Sequence, residues 1–264
     1  MSWCNKVTKI FYVNGCSHTA GSEMEAIKSK GSDYDKQHCY AKYIHSEFFP
    51  DSMYINEAYS GKSNETIALE TINTCLGLLE NSYMNGPYKP EDIFVLIGLT
   101  DPNRYQFDVP SSYGVWKDTI RFFVGRENID PAFRWDTKHV PYTTDLWRGL
   151  NAIAHTEEQE YRNFAKDYIS LVNFLELYNI DYRIVQVLWS YEQKFAPVRS
   201  KKIFEHYFKN DKVVNKEPWA DNMTMFLWLE NQGFDPNMDG RNSHFREDAH
   251  KAWAEFLIEK RLKI

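Results

Sequence analysis

Residues 9–21 read KIFYVNGCSHTAG, and this stretch decides the fold class. The run from Ile10 to Val13 is rich in β-branched and aromatic residues, and it stops at Asn14-Gly15, which is typical of a strand followed by a sharp turn. Ser17 stands two residues after Gly15, close to a predicted helix start. The stretch therefore predicts a strand–turn–helix unit with a serine at the turn.

The rest of the chain alternates strands with helices. The almost continuous apolar run at 92–97 is typical of a parallel strand buried on both faces. Such alternation indicates a mainly parallel sheet covered by helices on both faces, a three-layer α/β/α fold. Further strands are predicted at 53–56 and 182–188, and helices at 37–49, 64–80 (with Asn64 as the N-cap), 156–179, 223–231 and after His244.

We expect one domain over residues 1–264, with an insertion at about 101–156. This segment loses clear periodicity and is rich in Trp, Tyr, Phe and Pro, whereas linkers are rarely so aromatic. Its aromatic residues could form a lid over a site or simply pack over the sheet.

Composition excludes several classes of protein. The net charge of -6 and the pI near 5.8 argue against broad nucleic-acid binding, which needs a basic face. The basic run 199–202 is typical of a solvated surface. The N-terminus lacks the apolar segment of a signal peptide, and no run approaches the ~18 apolar residues of a membrane span. We therefore expect a cytoplasmic protein. A virus-encoded protein that acts in a host cell would show the same sequence features.

The four cysteines show no spacing that indicates a metal site. They lack CxxC and CxH patterns, so we expect reduced thiols, no metal and no cofactor.

The fold class itself selects the places where chemistry can occur. Parallel sheets bind ligands outside the carboxyl ends of their strands. These ends are the turn after Val13, the loop after Asn56 and the loop after Ile97, and the loop at 233–244 could reach the same edge.

Ser17 and His244 are the candidate nucleophile and base. At the turn, the Ser17 hydroxyl could attack a carbonyl while its own backbone N–H helps to hold the oxyanion. A serine needs a base that titrates near working pH, and histidine does so. Asn242 and Asp239 are near enough in sequence to orient its ring. The open alternatives are that Ser17 or Thr19 caps a helix and that His244 is a structural or surface residue.

Gly61 is the candidate for close backbone approach to a bound group. The triplet Gly61-Lys62-Ser63 also invites comparison with a phosphate-binding P-loop. That motif requires a glycine at position 56, where this chain has Asn56, so we exclude it.

Four blocks in order resemble the SGNH (GDSL-like) esterase family. Residues 15–21 resemble its Gly-Asp-Ser-x-x-x-Gly block, with Cys16 in place of Asp. Residues 56–64 and 97–101 are similar to its second and third blocks, with Thr100 at the Asn position. Residues 244–250 resemble the final block, although neither Asn242 nor Arg241 supplies the expected acid.

The resemblance implies a flavodoxin-like serine ester hydrolase that works through an acyl-enzyme. In it Ser17 is the nucleophile and His244 the base, oriented by Asn242 or Asp239. The oxyanion hole comprises Ser17, Gly61 and Thr100. The substrate would be a small-molecule or glycan-linked ester, which His18, Asp101 and Arg104 could contact.

Two other functions remain open. Cys16, Thr100 and Asn242 favour a catalytically degenerate protein that binds or inhibits. A nucleotide- or nucleic-acid-processing enzyme is the third alternative. The oligomeric state is unknown.

Overall fold

The computed structural model describes residues 8–22, 33–80, 86–102, 104–110, 117–123, 149, 156–188, 198–215, 224–236, 244–260 and 262. The elements in these ranges follow one another as β1 (Ile10–Gly15), α1 (Ser17–Ala20), α2 (Asp33–His38), α3 (Tyr40–Phe48), β2 (Met53–Asn56), α4 (Asn64–Leu79), a 3-10 turn (Pro90–Asp92), β3 (Ile93–Leu99), β4 (Arg104–Pro110), β5 (Lys117–Phe123), α5 (Glu157–Leu177), β6 (Asp181–Gln186), α6 (Lys201–Lys209), α7 (Met225–Asn231) and α8 (Glu247–Lys260).

Four of these strands form a parallel sheet in the order β2-β1-β3-β6. The central strands β1 and β3 are buried along their whole length, and β2 lies at an edge with a more exposed pattern. The order is that of the first four strands of a flavodoxin-like sheet. Because β1 lies between β2 and β3, the turn after β1 is flanked by the ends of two neighbouring strands.

Successive side chains of the central strands point to opposite faces of the sheet. On one face, Ile10 and Tyr12 pack in a core with α4, α5 and α6. On the other face, Phe11 and Val13 pack in a core with α3, α7 and α8. The prediction of a three-layer α/β/α fold with a parallel sheet is thereby confirmed.

Local predictions needed three corrections. The helix predicted over 37–49 is two helices, α2 and α3, because Cys39 between them has extended backbone angles. Asn64 is the first residue of α4 and not its N-cap, since the Ser63 hydroxyl accepts the hydrogen bond from Thr66 N, at 3.1 Å. Helix α6 was not predicted within the irregular stretch after β6.

The predicted insertion falls mostly outside the described residues, so its boundaries and its role as a lid stay predictions. Within it, β4 and β5 pair as an antiparallel hairpin, which was not predicted. The hairpin contacts α5, where Asn163 Nδ2 donates to Tyr105 Oη at 2.8 Å. In the described part of the chain, no helix combines the length and apolar character needed to cross a membrane.

Candidate active site

The turn after β1 presents Ser17 in a one-turn helix. Cys16 is extended at the N-cap, and Ala20 N then donates to Cys16 O at 2.9 Å. Gly21 closes the turn with φ 70°, in the left-handed region that favours glycine, and Ser22 N donates to Ser17 O at 2.9 Å. Ser17 is thereby held at the carboxyl edge of the sheet, where it is 4% exposed.

Two glycines let this helix lie directly on the strand ends. Gly15 and Gly98 are register partners in β1 and β3, and a Cβ at either position would overlap the Thr19 side chain. Tyr40 Oη donates to Thr19 Oγ1 from the other side, at 3.4 Å. Thr19 therefore fills the space that the glycines leave, and it fixes the depth of α1 on the sheet. The role of Thr19 is packing. The predicted alternative that Ser17 or Thr19 is a helix N-cap is wrong for α1, because its N-cap is Cys16.

The loop after β2 comes to the same edge. Tyr59 N donates to Gly15 O at 3.3 Å, and Ser60 Oγ donates to Ser22 Oγ at 3.0 Å. Gly61 follows with φ 82°, a conformation that other residues rarely adopt. The loop that carries Gly61 is thus attached on both sides of the Ser17 turn.

The end of β3 is held by the first residue of α4. Asn64 Oδ1 accepts from Thr100 N at 2.8 Å, and Asn64 Nδ2 donates to Thr100 O at 3.0 Å. This pair of hydrogen bonds fixes the Thr100 backbone. The Thr100 hydroxyl is buried and has no hydrogen-bond partner within the described ranges, so no described group uses its donor capacity.

His244 contacts the turn through His18. Its ring centroid lies 4.6 Å from that of His18, at an interplanar angle of 33°. Phe226 and Phe245 pack around His18, with ring centroids 5.8 and 6.4 Å from the His18 centroid. Among the described contacts, Ser17 Oγ makes no hydrogen bond to His244. The structure brings His244 to the residue next to Ser17 but does not form the nucleophile–base hydrogen bond.

The histidines beside the turn are strongly desolvated. Burial lowers the pKa of His18 well below its usual value, and the neighbouring His244, Arg104 and His250 lower it further. Burial, with a smaller contribution from His244, also lowers the pKa of His250 to about 3. His18 and His250 are therefore neutral at physiological pH, and His18 Nδ1 is buried with no hydrogen-bond partner in the described structure.

The remaining predicted residues divide into two groups. Asp239 and Asn242, the candidates for orienting His244, lie outside the described residues. Asp101 is buried after β3, and its carbonyl accepts from Arg104 N at 3.3 Å. Arg104 is near enough to His18 to lower the pKa of that imidazole.

Sequence reasoning missed two polar contributors to this edge. His250 Nδ1, in α8, accepts from Tyr40 N at 3.3 Å, and Lys62 lies fully buried directly after Gly61. A Gly-Lys-Ser triplet marked Lys62 in the sequence, but only as part of a phosphate-binding motif that the chain lacks.

Three cysteines lie in the described part of the chain. Cys16, Cys39 and Cys75 are free and buried. Among the described residues, no group of three His, Cys, Asp or Glu side chains is arranged to hold a metal ion.

Comparison with known proteins gives matches among solved structures only. No family model and no curated protein sequence matches the chain. It is similar to a psychrotrophic esterase from Pseudoalteromonas (13% identity, 96% of each chain, TM-score 0.41) and to a lipolytic G-D-S-L family member from Veillonella parvula (9% identity, 95% of this chain and 97% of that chain, TM-score 0.42). A third is a carbohydrate esterase described as having divergent catalytic and non-catalytic binding functions (15% identity, 96% of this chain and 67% of that chain, TM-score 0.42). These likenesses are distant, and the fold assignment rests on the strand order and layers described above.

Proposed function

We propose that the protein is a serine ester hydrolase and a divergent member of the SGNH (GDSL-like) family. The observation that carries the proposal is the position of the His244 ring, which lies against His18, the residue that follows Ser17 at the carboxyl edge of the sheet. The four sequence blocks that resemble the family end at this same edge, which adds support.

In the proposed reaction, Ser17 Oγ attacks the ester carbonyl carbon and its proton passes to His244. The backbone N–H groups of Ser17 and Gly61, with the Thr100 hydroxyl, stabilise the oxyanion. The carbon–oxygen bond to the alcohol then breaks, and His244 returns the proton to the departing alcohol. Water activated by His244 releases the acid from the acyl-enzyme.

The buried, neutral His18 and the cation Arg104 border this site, and we assign them to substrate contact. His18 Nδ1 is available to accept or donate a hydrogen bond, according to its tautomer, and Arg104 favours a substrate with an anionic or carbonyl group near the scissile ester. Asn242 or Asp239 would orient His244, as expected from the sequence.

A second candidate is a degenerate protein that kept the site for binding. The Thr100 hydroxyl, which is fully buried and stands at the position where the family has Asn, favours it. The Ser17–His244 hydrogen bond, which is absent between these two described residues, is compatible with either candidate. Catalytic hydrogen bonds are often long before substrate binds, so the two candidates differ in activity rather than in this distance.

Hydrolysis of a panel of short acyl nitrophenyl esters distinguishes the two candidates. We expect turnover by the wild-type protein and a loss of at least about a thousandfold in Ser17→Ala and in His244→Ala, since removal of either group removes the nucleophile–base pair. Ser52→Ala, which alters a buried serine directly before β2 at the opposite end of the sheet, is the matched control and should retain activity. Equal rates in Ser17→Ala and wild type would contradict the proposal, and binding of an ester without turnover would favour the degenerate protein.

A further inference from the structure

Lys62 is a buried charge whose bonding capacity is completely used. Its side chain is 0% exposed, and Nζ donates to Asn14 Oδ1 at 2.6 Å and to the Glu57 carbonyl at 2.7 Å. It also forms an ion pair with Glu70. An ammonium group has three N–H donors, so each of them has an acceptor. The Tyr59 ring covers the same group, with its centroid 4.1 Å from Nζ.

The three acceptors belong to three different parts of the fold. Asn14 lies in β1, Glu57 in the loop after β2, and Glu70 in α4. Asn14 extends the connection, because its Nδ2 donates to Ile67 O at 3.2 Å and to Thr71 Oγ1 at 3.1 Å, both in α4. One ammonium group therefore joins the end of a central strand to the neighbouring loop and helix.

These connections lie next to the two backbone N–H groups of the proposed oxyanion hole. Asn14 Oδ1 also accepts from Gly15 N at 2.9 Å, at the start of the turn that carries Ser17. Lys62 directly follows Gly61 in the chain. The Lys62–Asn14 hydrogen bond thus spans the two segments that carry the Ser17 and Gly61 N–H groups.

We infer that Lys62 is a positioning residue that sets the placement of the Gly61 backbone N–H relative to that of Ser17. The inference rests on the proposed function, because it assigns both N–H groups to the oxyanion hole. Oxyanion donors act only when they are correctly placed, and an error of ~1 Å costs about a hundredfold in rate.

Energetics favour a role in placement over a role in stability. Desolvation lowers the pKa of Lys62, and the carboxylates of Glu70 and Glu57 act in the opposite direction. Replacing a buried ion pair by apolar side chains is often neutral for stability. A fully buried lysine beside a site is therefore explained better by the geometry it imposes.

The test uses the Lys62→Met variant, which keeps an unbranched side chain of nearly the same length and removes the three donors. We expect the rate of Ser17 labelling by a fluorophosphonate to fall about 10- to 100-fold, with kcat on esters falling and KM little changed. We also expect hydrogen–deuterium exchange to rise in both 14–21 and 57–62. The double variant Lys62→Met/Glu70→Gln, which also removes the carboxylate of the ion pair, gives the same readouts if the single variant folds poorly.

Two controls separate placement from stability. Lys9→Met deletes a lysine–carboxylate pair, with Asp92, at the opposite end of the sheet, and Leu171→Ala destabilises the core of α5. Both should label at the wild-type rate while they remain folded.

The outcomes distinguish this inference from the proposed function. Labelling of Lys62→Met at the wild-type rate would overturn the inference even if Ser17 is the nucleophile. If the wild-type protein is not labelled at Ser17, the proposed function fails. Hydrogen–deuterium exchange then tests whether Lys62 links the two segments. Unchanged exchange at 14–21 in Lys62→Met overturns that link, and a rise at both 14–21 and 57–62 supports it.

Discussion

At the scale of single residues, the Ser17 turn depends on a packing match between one threonine and two glycines. Gly15 and Gly98 face each other in β1 and β3, and Thr19 occupies the space above both. Either glycine with a side chain would displace α1 from the sheet. The short helix is thus positioned by the fit of its own Thr19 into the space that two missing Cβ atoms leave.

This match predicts a coupling between Gly98 and Thr19. Gly98→Ala should lower the free energy of unfolding by about 1–3 kcal/mol, because the new methyl group overlaps Thr19 Oγ1. In Gly98→Ala/Thr19→Ala the overlapping oxygen is gone. The loss of unfolding free energy in this double variant should therefore be smaller than the summed losses of the two single variants, by at least about 0.5 kcal/mol. Urea denaturation of the four proteins measures this coupling. Strictly additive effects would show that the overlap is relieved elsewhere.

At the scale of elements, α3 begins with a hydrogen bond that its own sequence does not supply. Its N-cap, Cys39, makes no side-chain cap, and the orphan N–H of Tyr40 donates instead to His250 of α8. The His250 ring also stacks on Tyr40, with centroids 6.1 Å apart. The break between α2 and α3 is therefore stabilised by a helix more than two hundred residues away in the chain.

This bond predicts how stability depends on pH. The pKa of His250 is about 3 in the folded protein against 6.5 for an ordinary histidine. Below pH 6.5 the His250 side chain binds a proton in the unfolded chain but not in the folded protein. The free energy of unfolding therefore falls as the pH drops from 6.5 towards 3, by up to about 1.4 kcal/mol per pH unit. His250→Asn keeps an acceptor but cannot titrate. The difference in free energy of unfolding between His250→Asn and the wild type should therefore shift in favour of the variant by about 2 kcal/mol as the pH falls from 6.5 to 5. Parallel pH curves for the two proteins would contradict this.

At the scale of the whole molecule, the sequence predicted those features that local pattern determines. The apolar runs and the turn at Asn14-Gly15 are local signals, so the parallel sheet, its buried central strands and the edge that carries Ser17, Gly61 and Thr100 followed from them. The sequence also raised the possibility that the final loop reaches that edge, and the His244 ring centroid lies 4.6 Å from that of His18 there.

Features that depend on distant partners did not follow from the sequence. The break at Cys39 depends on His250, and the burial of Lys62 depends on Asn14, 48 positions away in the chain. Helix α6 carries apolar residues at helical spacing, a local signal that predicts the helix but not the contacts of Phe204 and Tyr207 with α5. Strand and helix patterns carry no information about such pairings, because the partners are chosen by the tertiary fold.

The central claim is that Ser17 is a nucleophile, and the most direct measurement is the site of covalent modification. The intact protein would be treated with a fluorophosphonate and the adduct located by mass spectrometry of its peptides. We predict one adduct on Ser17, absent in Ser17→Ala, strongly reduced in His244→Ala and unchanged in Ser52→Ala. A folded wild-type protein that forms no adduct, or one modified on another serine, would contradict the account.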